Sequence, residues 1–224
     1  MDGMLSAARR LDGVSRWIGK AIGWIIIPLI FTIMFDVITR KLDVTRLAFA
    51  EWTATSGYSV STILQDMQWH FHAFLLMFTF GFGYLANAHV RVDIFREMLS
   101  RRGQARLEFW LLIILALPFL LVMIKYSFDL TSISFWQGEG SESLTGIGQR
   151  WFVKSAMVWG FVIALMAVLA TILRLYATLY GDNAQQQTAM EELEIFSDAS
   201  DELEAVRLEA ERQLAEERRK AGGV

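Results

Sequence analysis

The sequence predicts an all-α integral membrane protein with four transmembrane helices, an interfacial helix, both termini in the cytoplasm and a charged C-terminal helical tail. Hydrophobic residues make up 54% of the 224 residues, and the mean hydropathy of +0.36 is high for a soluble domain. These residues are concentrated in four runs of about 20, the length that crosses ~30 Å of hydrocarbon. Lys and Arg residues lie mainly on one side of these runs, which indicates a defined orientation.

The four predicted spans are residues 17–39, 69–88, 109–128 and 153–175. Pro28 and Pro118 lie inside the first and third spans, where we expect each to kink its helix. The first run follows basic residues, as a signal peptide does. It is longer than a signal sequence and no small-residue cleavage site follows it, so we interpret it as a transmembrane helix.

The orientation follows from the basic residues near the span ends. The N-terminal segment and the loop between the second and third spans together carry nine Lys and Arg residues, and the two loops on the opposite side carry four. Basic residues accumulate on the cytoplasmic side of membranes, so both termini are predicted to be cytoplasmic.

The segment of residues 45–61, between the first two spans, is too polar to cross a membrane. Leu47, Phe49 and Trp52 would let it lie along the outer interface as a short helix. An ordinary loop is the alternative.

The chain divides by charge into a mildly basic membrane domain, residues 1–180, and a strongly acidic cytoplasmic tail, residues 181–224. This balance does not indicate a nucleic-acid-binding surface. The tail is predicted to be helical or disordered. A possible coiled-coil seam has 3-4-3-4 spacing, and a solvated charged helix is the alternative. The seam comprises Phe196, Ala199, Leu203, Val206 and Ala210.

Polar clusters lie at both ends of the second span and are the main candidates for specific contacts. Asp66, Trp69 and His70 lie at its outer end. A second group lies at its inner end and comprises His89, Arg91 and Asp93. Since hydrocarbon tolerates such groups poorly, we expect them to anchor the helix to headgroups, neighbouring helices or a partner.

The histidine spacing argues against a haem or metal site. His70 and His72 point to different sides of a helix, and His89 is about 28 Å further along at ~1.5 Å per residue. The chain has no Cys, so thiolate sites are excluded. We find no catalytic motif and expect neither cofactor nor enzymatic activity. A b-type cytochrome or quinone-linked membrane protein, and a membrane adaptor acting through the acidic tail, remain the alternative functions.

Three segments carry a resemblance to a known family. They are LQDMQWHFHAF from residue 64, NAHVRVDIF from residue 87, and the loop of residues 136–157. With the four spans, they resemble the small membrane subunit of tripartite ATP-independent periplasmic (TRAP) transporters over roughly residues 15–180. The H-V-R-V-D motif that begins at His89 is the most specific element.

The resemblance implies an accessory permease subunit in the bacterial inner membrane. Such a subunit would scaffold a large, sodium-coupled membrane subunit, which carries the solute site. A periplasmic solute-binding protein would deliver a small organic solute, which we expect to be a carboxylate. Glu139 and Glu142 in the external loop are then candidates for docking the binding protein, while Asp66, Trp69, His70, His89, Arg91 and Asp93 would contact the large subunit or membrane lipids.

Overall fold

The computed structural model describes residues 2–88, 99–193 and 208, and this part of the chain is helical without strands. The all-α class predicted from the sequence is confirmed. A π-helical turn, Leu112–Ala116, separates two of the helices. The helices are α1 (Asp2–Gly23), α2 (Ile26–Lys41), α3 (Asp43–Ser56), α4 (Val60–Leu85), α5 (Arg101–Leu111), α6 (Leu117–Trp136), α7 (Trp151–Tyr180) and α8 (Asn183–Glu191).

Three helical stretches among the described residues are long and apolar enough to cross a membrane. They are Gly3–Lys41, Arg101–Trp136 and Trp151–Tyr180, which contain the first, third and fourth predicted spans. Helix α4 has 26 residues and therefore the necessary length, but its first half carries the Gln, Asp and His residues of the outer cluster. The four-span topology and the orientation of the termini therefore stay predictions.

Both predicted proline kinks coincide with interruptions of regular helix. Pro28 has no N–H to donate to the carbonyl of Trp24, and its ring crowds that carbonyl. Accordingly α1 ends at Gly23 and α2 begins at Ile26, with the amide of Ile25 bonded to the oxygen of Ile22 at 2.9 Å. Pro118 is likewise preceded by the π-helical turn, at the end of which the amide of Leu117 bonds to the oxygen of Leu112, five residues back.

Helix α7 forms the centre of the bundle and packs against α1, α4, α5, α6 and α8. In its most apolar 18-residue window 44% of the residues are buried, compared with 17% in each of the other two spans. Small residues allow the close approach, as in other membrane bundles. A Cβ at Gly160 would lie 2.7 Å from the backbone oxygen of Met77, so α4 and α7 touch through their backbones there.

Helix α1 packs into the same junction. A Cβ at Gly81 of α4 would lie 2.6 Å from Oγ of Ser15 in α1 and 2.8 Å from the oxygen of Ile163 in α7. The predicted first span began at residue 17, but the helix begins fifteen residues earlier, at Asp2. The added turns are amphipathic and bury Leu5 and Ala8 against the neighbouring helices, which a search for apolar runs does not detect.

The segment predicted as an interfacial helix or a loop is helical. It forms α3, Asp43–Ser56, which is closed by Gly57 in the left-handed conformation with φ of 77°. Val44, Leu47 and Trp52 project from it and are more than half exposed. Its position at a membrane interface stays a prediction.

The chain continues beyond residue 181 into α8, which packs against α7 and buries Ala189. The division into domains at this point stays a prediction. The predicted coiled-coil seam lies outside the described residues, and so do His89, Arg91 and Asp93.

Candidate functional site

Asp66 anchors the 137–150 loop, which joins α6 and α7, to α4. Its Oδ2 accepts a hydrogen bond of 2.8 Å from the backbone amide of Ile147, and the carboxylate lies so close to Gly146 that no Cβ would fit there. His70, one turn further, bonds through Nδ1 to the backbone oxygen of Asp66 and not to its carboxylate. The two side chains share a face, as their spacing predicts, but they do not form an ion pair.

A buried carboxylate on α2, Asp36, organises a polar cluster at the same end of the bundle. Asp36 is 1% exposed and bonds to Nη2 and Nε of Arg40, the latter at 3.0 Å. From α4, Oγ of Ser61 donates to it at 3.0 Å and Nε2 of Gln68 at 3.5 Å. Gln65, with its amide oxygen turned toward Arg40, accepts from Nη2 at 3.0 Å. Burial of the carboxylate requires such partners, so this cluster holds α2 onto α4.

One face of the middle part of α4, residues 69–80, is uncovered. Its exposed side chains recur at spacings of three and four residues and form what we term the α4 stripe, Trp69, His72, Leu76 and Phe80. A groove of about 300 Å³ lies between the N-terminal half of the stripe, Trp69 and His72, and two residues of α2, Leu29 and Ile33. A second, more apolar groove of about 360 Å³ follows along Leu76 and Phe80. Trp69 was predicted from the sequence as a contact residue. The exposure of the other stripe residues could not be predicted in this way, because it depends on which face of α4 is covered by α1 and α7.

The two acidic candidates of the 137–150 loop have different environments. Glu139 is bound by Nζ of Lys154, and Nη1 of Arg150 lies 3.9 Å away. The hydrogen bond from Lys154 holds the pKa of Glu139 below its usual range. Glu142 pairs with Arg150 at 3.2 Å, but its side chain is 87% exposed. Glu142 therefore offers its carboxylate to solvent, while Glu139 is bound to the first turn of α7.

The opposite end of the bundle contains an ionic network that the sequence did not reveal. Arg174 of α7 has a side chain 5% exposed and bonds to Oδ2 of Asp12 at 3.2 Å and to Oε2 of Glu192 at 3.1 Å. Arg16 pairs with Asp12 at 3.0 Å and Arg9 with Glu192 at 2.7 Å. The network joins α1, α7 and the residue that follows α8. Arg174 lies in an apolar run, and its partners are brought to it only by the tertiary fold.

No group of three or more His, Asp or Glu side chains that could hold a metal ion exists among the described residues. The expected absence of a cofactor stays a prediction. What the described residues do contain is a set of anchoring contacts at both ends of the bundle and an uncovered helix face between them. This arrangement suits the binding of a protein partner within a membrane.

Comparison with models of known protein families gives a match over most of the chain. Residues 29–178 are similar to the family described as tripartite ATP-independent periplasmic transporters, DctQ component. No match was found among curated proteins or among solved structures. The matched region runs from α2 to the last turns of α7 and includes the Asp36 cluster, the α4 stripe and the 137–150 loop.

Proposed function

Because the chain belongs to the DctQ component family of tripartite ATP-independent periplasmic transporters, we propose that it is a small permease subunit that scaffolds a large, sodium-coupled transport subunit. Membership makes the chain a membrane component of a transporter. The family match gives no support to the alternatives of a b-type cytochrome, a quinone-linked protein or a membrane adaptor. The further proposals are an inner-membrane location, cytoplasmic termini and a carboxylate solute.

The observation that carries the scaffolding role is the α4 stripe. Trp69 and His72 are exposed on a helix whose remaining surface is apolar or packed against α1, α2 and α7. Lipid chains cannot satisfy the ring nitrogens of these side chains, whereas a neighbouring protein helix can. The two grooves beside the stripe give such a helix a surface of suitable shape. We therefore place the large subunit on this face.

Site-directed cross-linking tests this placement, because the natural chain has no Cys. Leu76→Cys puts a single thiol on the stripe, and Leu121→Cys on α6 is its matched control, since the two leucines are 51% and 52% exposed. Each variant would be co-expressed with a many-span permease of a tripartite transporter and labelled with a thiol-specific photo-cross-linker. We expect a cross-linked heterodimer from position 76 and much less from position 121.

Equal cross-linking from both positions, or cross-linking from position 121 alone, would refute the placement. The same preparations, reconstituted into liposomes with the binding protein, test the coupling. Solute uptake should require an inward sodium gradient and should fail when this chain is omitted. Uptake that continues at the same rate without the chain would contradict the scaffolding role.

We also propose that the 137–150 loop helps to dock the periplasmic binding protein. Glu142 supports this role with an exposed carboxylate beside Arg150, and Glu139 supports it by holding the loop to Lys154. Asp66 contributes by fixing the same loop from α4. His89, Arg91 and Asp93, at the inner end of the second predicted span, remain candidates for anchoring contacts.

A further inference from the structure

Leu144, in the 137–150 loop, has its whole side chain in solvent. It is 99% exposed, the highest value for any large apolar side chain in the described part of the chain. Single exposed apolar residues are common on protein surfaces, and many of those in this chain lie on helices that can face lipid. Leu144 differs because it lies in the loop between the end of α6, at Trp136, and the start of α7, at Trp151.

Hydrogen bonds on both sides of Leu144 hold it in a defined turn. The amide of Gly146 bonds to the oxygen of Ser143 at 3.0 Å, which closes a β-turn with Leu144 at its second position. The hydroxyl groups of Ser143 and Thr145 bond to each other at 2.9 Å. A partner that buries Leu144 therefore does not have to order the loop first, which lowers the entropic cost of binding.

A second exposed apolar residue, Tyr58, lies beside this turn. The amide of Ser59 bonds to the oxygen of Thr145 at 3.0 Å, which joins the segment between α3 and α4 to the loop. Tyr58 and Leu144 directly precede the two members of this hydrogen bond, and Tyr58 is 56% exposed. The fold thus brings an aromatic and an aliphatic residue from separate segments to one surface, which we term the Leu144 patch.

The charges beside the Leu144 patch are balanced within the protein. Glu142 pairs with Arg150 at 3.2 Å, and Glu139 is bound by Lys154. The patch therefore offers a partner apolar surface and no net charge. The carboxylate of Glu142 is 87% exposed, so inserting Leu144 into a bilayer would desolvate a charged group two residues away, which is unfavourable. A protein pocket can take the leucine and leave the carboxylate at a hydrated rim.

We propose that the Leu144 patch is the apolar anchor on which the periplasmic binding protein docks, with Leu144 filling an apolar pocket of that protein and Tyr58 packing against its edge. The inference rests on the proposed function, because it takes the binding protein as the partner of the 137–150 loop. It adds the kind of interaction that holds the two together. Burial of Leu144 supplies the affinity, and the paired charges around it exclude water at the rim.

Uptake by the reconstituted transporter, measured against binding-protein concentration, tests this role. Leu144→Ala removes three carbon atoms that touch solvent in the free protein, so the fold should be unaffected. We expect the half-saturating concentration to rise roughly tenfold, the effect of burying about two carbon atoms at a factor of about four each. The ratio of variant to wild type should be the same at low and high salt concentration, because the contact is not ionic.

Two matched variants accompany this measurement. Leu144→Met keeps an apolar side chain of similar volume and should stay within about threefold of the wild type. Leu47→Ala truncates another exposed leucine, 67% exposed on α3, and should leave the half-saturating concentration unchanged. A wild-type value for Leu144→Ala overturns the proposal, and so does an effect of Leu144→Ala that disappears at high salt concentration.

Fluorescence identifies what covers residue 144. Leu144→Cys carries the only thiol of the chain and would be labelled with an apolar, environment-sensitive fluorophore. In liposomes we expect water-like emission, and a blue shift when the binding protein is added at saturating concentration. A blue shift in liposomes alone would place residue 144 in lipid and overturn the proposal, as would the absence of a shift with the binding protein.

The two measurements also separate failure of this proposal from failure of the proposed function. If uptake requires the chain but Leu144→Ala behaves like the wild type, the anchor is wrong and the subunit role stands. If uptake does not require the chain, the subunit role is wrong. The fluorescence shift still reports contact with the binding protein in that case, because it does not depend on transport.

Discussion

Arg174 is the residue whose loss should destabilise the bundle most clearly. It is almost completely buried and links α1 to the end of α8 through Asp12 and Glu192, at 3.2 Å and 3.1 Å. Arg174→Ala removes the central cation and leaves both carboxylates in a partly buried site. We expect the variant to insert and fold but to unfold at a lower temperature.

The size of the effect follows from the exposure of the partners. Removing one member of a buried ion pair typically costs about 3–5 kcal/mol. The side chains of Asp12 and Glu192 are 16% and 24% exposed, and Arg16 and Arg9 remain beside them. The carboxylates therefore regain part of their hydration and keep a second cation, so we expect the low end, about 3 kcal/mol. For a chain of this size that corresponds to a decrease of roughly 6–12 °C in Tm.

The assay is thermal unfolding of the purified chain in detergent, followed by the fluorescence of its eight Trp residues. Arg46→Ala is the control, because the Arg46–Asp43 pair has a shorter distance, 2.8 Å, but side chains 67% and 82% exposed. Exposed pairs contribute about 0–1 kcal/mol, so this variant should shift the Tm by about 4 °C or less. Double-mutant cycles with Asp12→Asn then measure the coupling directly.

If Arg174→Ala lowers the Tm no more than Arg46→Ala does, the network does not stabilise the fold and the reasoning fails. Strict additivity of Arg174→Ala and Asp12→Asn would likewise show that these side chains do not interact. A second cycle pairs Arg174→Ala with Glu192→Gln. If a coupling energy is found only in this second cycle, Arg174 serves only to hold the end of α8.

Two further predictions concern backbone packing and the external loop. Gly160→Ala should lower the Tm by an amount equivalent to about 1–3 kcal/mol, because the new Cβ would lie 2.7 Å from the backbone oxygen of Met77. Gly83→Ala is the control and should be neutral or slightly stabilising, because its Cβ would meet nothing within 4 Å. Equal Tm values for the two variants would contradict this packing. Glu142→Lys should raise severalfold the binding-protein concentration that half-saturates uptake, without reducing recovery of the large subunit, since it reverses an exposed charge on the loop. Asp43→Lys, also on an exposed carboxylate, is the control, and an unchanged half-saturating concentration for Glu142→Lys would remove Glu142 from the docking surface.

The sequence predicted the helices wherever an apolar run or a proline dominates. The third and fourth spans, and the interruptions before Pro28 and Pro118, follow from residues that act locally. Helix α1 was underestimated because its amphipathic first turns owe their helicity to burial of Leu5 and Ala8 against other helices. Tertiary packing, not local hydropathy, decides such a segment.

The candidate site was predictable to a similar degree. Asp66 and Trp69 were singled out as polar groups at a span end, and the structure gives them a loop contact and an exposed position on the α4 stripe. The pair of Asp36 and Arg40 needs no tertiary contact, since their i, i+4 spacing alone brings the two charges together. The contribution of Ser61 to the same cluster was not, because it depends on how α2 packs against α4.

The central position of α7 has a consequence for the biogenesis of this protein. During synthesis α1, α4 and α6 are complete before α7, the helix on which their contacts converge, exists. Until α7 has been synthesised, Asp12 cannot pair with Arg174 and Gly81 cannot pack against Ile163. The contacts of α1 and α2 with α4 can form before α7 is made, whereas the contacts that need α7 can only complete the bundle afterwards. A chain arrested before residue 151 would therefore lack both the Arg174 network and the close approach of Gly160 to Met77.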